Sequence, residues 1–271
     1  FMSFVKSKNN RSNLFILTEN GQLLLKNDDN FNFSHTENIK NCCAICVNDE
    51  RSMIILGDKN GKIIQFVTET NSIVITKTAH EGKIFSLCFL NDSYFLSCGP
   101  KGEMKIWNLT IESERNILLP PSRHQWPTAA LMNEQFLMIG DGSGNIFVYL
   151  INSLESPTQI FQGIFGHNEV TCIKRKSKTN LFYASGRNGK IFEFLFKDKE
   201  IVLLRCFKSF ANLEWITKLI FNNLNGTLDY VVGFNGKSFD VWNDKESRLI
   251  WTIECGGGHR QWDFQICDNQ K

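Results

Sequence analysis

The chain has 271 residues, of which 42% are hydrophobic and 12% aromatic, which is ample for a packed core. Its 30 basic and 28 acidic residues leave a net charge of only +2. Composition therefore does not indicate nucleic-acid binding through a field spread over the whole domain, and no DNA partner is expected. No apolar run approaches the roughly 20 residues that cross a bilayer, and no signal peptide is visible, so no membrane partner is expected. The start at Phe1 suggests a fragment of a longer protein.

The chain contains nine cysteines, an odd number. Several lie inside strand-like runs, as free buried thiols of a reducing compartment do: Cys88, Cys98, Cys172 and Cys206. The close group Cys42, Cys43 and Cys46 lacks the two-plus-two spacing of a zinc site. We therefore expect neither disulfides nor a metal.

Six segments of the chain share one pattern, an apolar strand, a turn that contains glycine, and a second apolar strand. The turn glycines lie 40, 41, 42, 45 and 47 residues apart: Gly21, Gly61, Gly102, Gly144, Gly189 and Gly236. The clearest copy runs from Ala184 to Phe194 and has Asn188-Gly189 in its turn. Asn-Gly between apolar strands predicts a two-residue hairpin turn with both central residues at positive φ.

Each hairpin is flanked by two further apolar runs, so that each unit of the repeat has four strands. Examples are residues 84–89 before one hairpin and residues 201–204 after another. No segment shows convincing helical periodicity over ten residues. A period of 40 to 45 residues with four strands per unit is typical of the blades of a β-propeller. The predicted fold is all-β.

The units resemble the blades of WD-repeat propellers. Ala79-His80 precedes Trp107-Asn108 by the distance usual in that family, and Gly166-His167 precedes Phe194 likewise. Family blades usually end in Trp-Asp and carry an Asp in the tight turn that bonds the His. The turns here have other residues instead: Asn60, Lys101, Ser143 and Asn188. The resemblance implies a divergent propeller of about seven four-stranded blades whose buried hydrogen-bond tetrad is mostly degenerate.

These patterns assign residues 1–253 to a WD-repeat propeller with six recognisable blades. Residues 254–271 begin a further blade, or close the one that opens at residues 1–5, and we expect the last residues to lead into another propeller.

Three irregular stretches interrupt the repeat at residues 118–127, 209–215 and 254–262. Each places a tryptophan before or at the first strand of the next unit: Trp126, Trp215 and Trp262. In WD propellers this connection lies on the face that usually binds partners. The rings either fill the tops of the blades and the channel, or they form a rim for a base or a protein partner with their neighbours Arg123, His124, His259 and Arg260.

Two short motifs each allow a structural and a ligand-binding interpretation. The glycines at 256–258 lack the Lys-Ser/Thr and the helix of a phosphate loop, and are more typical of a tight backbone crossing. The basic cluster, defined here as Lys174, Arg175, Lys176 and Lys178, is either a solvated loop or a contact to a phosphate backbone.

The sequence shows no catalytic constellation. Its five histidines are spread over different units, and at least two of them fall on the structural position of the repeat. No nucleophile motif, carboxylate pair or metal triad is present. We therefore expect a protein that is not an enzyme and that holds no cofactor of its own.

The departures from the repeat resemble a particular group, the WD-repeat protein six family. The residues that carry this resemblance are the stretches 118–126, 185–201, 231–242 and above all Glu254–Phe264, together with the strand at Trp215. The resemblance covers residues 79–264, and the first 78 residues fit only as generic blades. Members of this family are the large WD-repeat accessory subunits of a tRNA ribose 2′-O-methyltransferase complex.

This resemblance implies a cytoplasmic, non-catalytic subunit. It would bind an FtsJ-like tRNA 2′-O-methyltransferase, which carries the S-adenosylmethionine, and present the anticodon loop of the tRNA for methylation at the wobble position. Family members are longer and have several propellers, so this chain would be a middle portion. The alternative is a generic WD-repeat scaffold for protein–protein interaction without an RNA role.

Overall fold

The structure, a computed structural model, describes residues 2–6, 12–18, 22–26, 33–48, 53–67, 70, 72–176, 179–209, 211–221 and 227–256. Within these ranges the chain forms six four-stranded antiparallel sheets, each built from four consecutive strands. The described residues divide into two compact units, one up to residue 117 and one from residue 118 to residue 256.

The first unit holds three of these sheets. Their strands are β1 Met2–Lys6, β2 Ser12–Leu17, β3 Gln22–Lys26 and β4 Phe33–Asn38; β5 Cys42–Asn48, β6 Met53–Asp58, β7 Lys62–Val67 and β8 Ser72–Thr78; β9 Ser86–Phe89, β10 Tyr94–Cys98, β11 Glu103–Asn108 and β12 Ser113–Leu118. Buried side chains from consecutive sheets form shared clusters, with Phe15 and Phe66 in one cluster and Ile63 and Phe95 in another. The sheets of this unit therefore pack face to face.

The second unit also holds three sheets. Their strands are β13 Pro127–Met132, β14 Phe136–Asp141, β15 Ile146–Leu150 and β16 Gln159–Phe161; β17 Val170–Arg175, β18 Leu181–Gly186, β19 Lys190–Lys197 and β20 Glu200–Lys208; β21 Trp215–Phe221, β22 Leu228–Asn235, β23 Ser238–Asn243 and β24 Arg248–Glu254. The first strands of the three sheets lie side by side, since β13 contacts β17 and β17 contacts β21. The predicted hairpins are the second and third strands of the sheets in both units.

The turn of the clearest hairpin is not the predicted two-residue turn. Three residues, 187–189, separate β18 from β19, and φ is positive at Gly189 (68°) but not at Asn188. This is the three-residue loop in which a type I turn is followed by glycine in the left-handed region. A Cβ on Gly189 would lie 2.0 Å from the carbonyl oxygen of Leu213, so close approach of the next sheet also requires glycine here.

One sheet of the first unit retains the hydrogen-bonded tetrad of a WD blade. Trp107 Nε1 donates to Ser97 Oγ (2.8 Å), Ser97 Oγ lies 2.7 Å from His80 Nε2, and His80 Nδ1 lies 3.0 Å from Glu103 Oε2. The prediction that the acid is missing is wrong for this sheet. Glu103, two residues after Lys101, supplies the carboxylate, while Asn108 Oδ1 accepts from the backbone N–H groups of Thr110 and Glu112.

In the second unit, the sheet of β17–β20 has lost the tetrad, and the prediction that His167 takes the position of His80 is wrong. The ring of His80 packs directly on Gly99, so that a Cβ added to this glycine would clash with it. At the equivalent Gly186, the ring in this place is that of Phe165, which is fully buried. His167 lies two residues further on and is exposed. The physical reason is that Ala184 replaces Ser97 here, so a buried imidazole would have no partner, and a phenyl ring needs none.

Candidate functional site

The site lies on the surface of the second unit at which β13, β17 and β21 begin, which we call the upper face. Trp126 directly precedes β13, Glu169 directly precedes β17, and Trp215 is the first residue of β21. Since the three strands are neighbours and run in the same direction, these side chains lie along one row.

Bulged threonines hold the three strands together beside this row. The pairing of β13, β17 and β21 with the next strand of each sheet slips by one residue at Thr128, Thr171 and Thr217. The hydroxyl of Thr128 donates to Val170 O in the next sheet (2.6 Å) and lies 3.2 Å from a second acceptor, Gly140 O, in its own sheet. Thr171 bonds Ser185 O in its own sheet and Ile216 O in the next in the same way. The bulges therefore fix the spacing of the sheets at the upper face.

Arg187 is at the centre of the row. It lies in the turn between β18 and β19, and its backbone N–H donates to Glu169 O (3.1 Å). Its Nη1 donates to Glu169 Oε2 (3.3 Å), and its guanidinium carbon lies 3.8 Å from the centroid of the Trp215 ring. The guanidinium plane is thus held by a cation–π contact on one side and an ion pair at its edge.

Two cavities open beside Arg187. The first has a volume of about 410 Å³ and is lined by His124, Trp126, Gly142, His167, Asn168, Glu169 and Arg187. The rings of His124 and Trp126 meet edge to face with their centroids 5.1 Å apart, and the backbone N–H of His124 donates to Ser143 Oγ (3.0 Å). This ring pair forms an ordered wall of the cavity.

The second cavity has a volume of about 400 Å³ and lies on the other side of Arg187. It is lined by Arg187, Asn188, Lys208, Asn212, Leu213, Glu214 and Asn235. Asn188 is fixed there, because its Nδ2 donates to Phe165 O (3.0 Å) and its Oδ1 accepts from Lys190 N–H (3.1 Å). Arg187 therefore separates two polar recesses and contributes to both.

The formal charges around the two cavities cancel. Arg187 and Lys208 are opposed by Glu169 and Glu214. Burial raises the pKa of Glu169, and the nearby Arg187 and His124 oppose that rise. The upper face thus presents donors and acceptors together rather than a field of one sign.

The structure brings together some of the predicted site residues and separates others. His124, Trp126 and Trp215 surround Arg187, while Arg123 is exposed and lines neither of these cavities. Lys174 and Arg175 are exposed near the far end of β17, with Lys176 just beyond it, and Arg175 Nε donates to Thr179 O (2.8 Å). β17 has six residues, about 20 Å of strand, and these three members of the basic cluster lie at or beyond its end opposite the upper face. Four predicted residues lie outside the described residues: Lys178, His259, Arg260 and Trp262.

Sequence reasoning missed Arg187, Glu169 and the exposed position of His167. Arg187 lies in the hairpin repeat, whose pattern indicates turn geometry only. The available signal was an arginine at a turn position where the other clear copies have Lys59, Pro100 or Gly142.

The part of the chain that the structure describes shows no group of three His, Cys, Asp or Glu side chains that could hold a metal. Its cysteines at 42, 43, 46, 88, 98, 172, 206 and 255 are free. Within the same ranges, no helix is long and apolar enough to cross a bilayer.

Comparison with known proteins agrees with this architecture. The family model "WD domain, G-beta repeat" matches residues 71–108, the segment that contains the intact tetrad. Similar solved structures are a chain of the mitotic checkpoint complex (TM-score 0.69, 13% identity, 94% of this chain and 77% of that chain) and U3-55K (TM-score 0.62, 14% identity, 85% and 71%). The fold is that of a WD40 β-propeller with four-stranded antiparallel blades.

Curated relatives carry one name, tRNA (34-2′-O)-methyltransferase regulator WDR6. The human protein is 22% identical over 257 residues, which is 77% of this chain and 23% of that protein. The Drosophila melanogaster protein is 26% identical over 199 residues, 69% of this chain and 19% of that protein. The chain spans about a fifth of the length of these relatives. The similarity to these proteins confirms the resemblance to the WD-repeat protein six family.

Proposed function

We propose that this chain is part of a non-catalytic WD-repeat subunit that supports ribose 2′-O-methylation of tRNA at the wobble position of the anticodon loop. It would do so by binding an FtsJ-like methyltransferase, which holds the S-adenosylmethionine, and by positioning the tRNA in the cytoplasm. The observation that carries this proposal is the name shared by the relatives, each a regulator of a tRNA (34-2′-O)-methyltransferase.

The geometry supports a binding role. The upper face offers ordered aromatic and charged side chains beside two open recesses, and such side chains are common binding hot spots. In the proposed assembly a propeller of about seven blades is completed by segments beyond the six described sheets. Residues 254–271 would contribute to it, and of these residues 257–271 lie outside the described residues.

Deletion of the protein tests this function. Loss of the ribose methyl at the wobble nucleotide, measured by mass spectrometry of tRNA digests, is the expected result, with re-expression of the full-length protein as the control. Intact methylation in the deletion strain would contradict the proposal.

A scaffold without an RNA role is the second candidate, because the charges around Arg187 cancel and RNA affinity rests largely on neutralising phosphates. It would be favoured if the full-length protein bound the methyltransferase but had no effect on tRNA methylation.

A further inference from the structure

We propose that the Arg187 surface is the docking site for the partner methyltransferase itself, and not for RNA. We define this surface as Arg187, Glu169, His124, Trp126 and Trp215. The inference rests on the proposed function and adds a location and a chemistry to it. The segment that binds would bring a carboxylate to the free edge of the Arg187 guanidinium and an N–H donor to Glu169.

The first argument is that the Arg187–Glu169 ion pair leaves part of the hydrogen-bonding capacity of both side chains unused. Arg187 and Glu169 share one contact of 3.3 Å, whereas charge-assisted hydrogen bonds are usually about 2.7–2.9 Å. Among the described residues, the Arg187 guanidinium makes no other hydrogen bond, and neither does the Glu169 carboxylate. Their side chains remain 39% and 33% exposed, so both have capacity for a partner.

The second argument is that Arg187 is already ordered for binding. Stacking on Trp215, the ion pair and the backbone bond to Glu169 fix the direction of its fork before any partner arrives. Ordering a free arginine on binding costs side-chain entropy, and this arrangement avoids much of that cost. A planar fork fixed in this way matches a carboxylate with two parallel hydrogen bonds.

The third argument is charge, and it selects protein over RNA. A protein gains affinity for a nucleic acid when its cationic side chains neutralise phosphates and so release the counterions that were bound to them. The two recesses have two cations and two carboxylates, so a chain of phosphates gains nothing there. A folded protein surface presents both signs and can satisfy Arg187 and Glu169 together. Lys174 and Arg175, the exposed members of the basic cluster among the described residues, lie at the opposite end of β17.

The test measures the affinity of the full-length protein for its tRNA 2′-O-methyltransferase and, in parallel, for tRNA. Arg187→Ala should weaken methyltransferase binding at least about 30-fold, the effect of a hot-spot residue, and leave tRNA affinity within about threefold. Arg175→Ala is the matched control, since Arg175 is also exposed and also lies over an aromatic ring, Phe182, at 5.8 Å. It should change methyltransferase affinity by less than about threefold.

A charge swap separates docking from local folding. Glu169→Arg combined with Arg187→Glu keeps an ion pair between the two positions, loses the cation–π contact with Trp215 and reverses the charges that a partner meets. The swapped protein should still fold cooperatively in thermal melts, while methyltransferase binding remains weak. Full recovery of binding in the swap would show that Arg187 only holds the turn, and would overturn the inference. A loss of tRNA affinity in Arg187→Ala with unchanged methyltransferase affinity would also overturn it. If Arg187→Ala binds the methyltransferase normally, the docking inference is wrong but the proposed function stands. If the unchanged protein does not bind the methyltransferase, the proposed function is wrong as well.

Discussion

Ser97→Ala is the sharpest test of how the tetrad stabilises its sheet. Ser97 is fully buried, and its hydroxyl accepts from Trp107 Nε1 and donates to His80 Nε2, the arrangement that satisfies all groups when His80 is neutral. Removing the hydroxyl leaves a buried donor on Trp107 and a buried acceptor on His80 without partners. At about 1–3 kcal/mol for each of the two unsatisfied groups, the sheet should lose roughly 2–6 kcal/mol.

The matched control is Ser86→Ala in the neighbouring strand β9. The Ser86 hydroxyl oxygen is buried, and it has no hydrogen-bond partner among the described residues. Its removal should therefore not destabilise the sheet, since it leaves no partner unsatisfied. Both variants remove one oxygen atom from the same sheet, but only Ser97→Ala leaves hydrogen-bond partners behind.

The assay is hydrogen–deuterium exchange in the full-length protein, followed by mass spectrometry of peptides that cover β10 and β11. A loss of about 2–6 kcal/mol should speed exchange by opening of this sheet roughly 30-fold to about 20,000-fold in Ser97→Ala, whereas Ser86→Ala should not speed it. Equal exchange rates in the two variants would refute the reasoning, since the tetrad would then contribute nothing beyond packing.

Three further predictions follow from the same structure. Gly189→Ala should cost more stability than Gly236→Ala in thermal melts, by about 1–3 kcal/mol, because both glycines have positive φ but only Gly189 would place its Cβ against a carbonyl oxygen; equal losses would contradict this. Burial lowers the pKa of His80 below its ordinary value of 6.5, so the unfolded chain takes up that proton first. The contribution of neutral His80 to the free energy of unfolding should be complete above pH 6.5 and should decrease as the pH falls below that value. In urea unfolding, His80→Gln should make this pH dependence weaker. Glutamate substitutions at Lys174, Arg175 and Lys176 should weaken tRNA binding and reduce its salt dependence if this cluster contacts phosphates; unchanged filter binding of tRNA would favour the scaffold without an RNA role.

The sequence predicted the hairpins well because their signals are local. A glycine turn between alternating apolar residues determines which strands pair, and the sheets have that pairing at Gly61, Gly144 and Gly189. The turn type was predicted less well, because a single Asn-Gly pair is compatible with both the two-residue turn and the three-residue loop.

The candidate site was only partly predictable, since its centre depends on contacts between distant parts of the chain. Trp126 and Trp215 stand out as aromatic residues in irregular loops, but Arg187 gains its role from lying between Glu169 and Trp215. The place of His167 depended on a second residue, Ala184, whose lack of a hydroxyl decides which ring is buried. Neither the contacts of Arg187 nor the effect of Ala184 on the buried ring can be predicted from the order of residues along the chain.

The bulged threonines have a consequence for how the second unit comes apart. Thr128 and Thr171 each place one hydroxyl between a carbonyl oxygen of their own sheet and a carbonyl oxygen of the next, so separating two neighbouring sheets breaks a hydrogen bond at each of these residues. In the first unit the equivalent bulge is Cys43, whose thiol reaches Gly57 O (3.6 Å) and Ile84 O (3.1 Å) with a weaker donor. Opening should therefore be cooperative across β13, β17 and β21, and the junction at Cys43 should open before it.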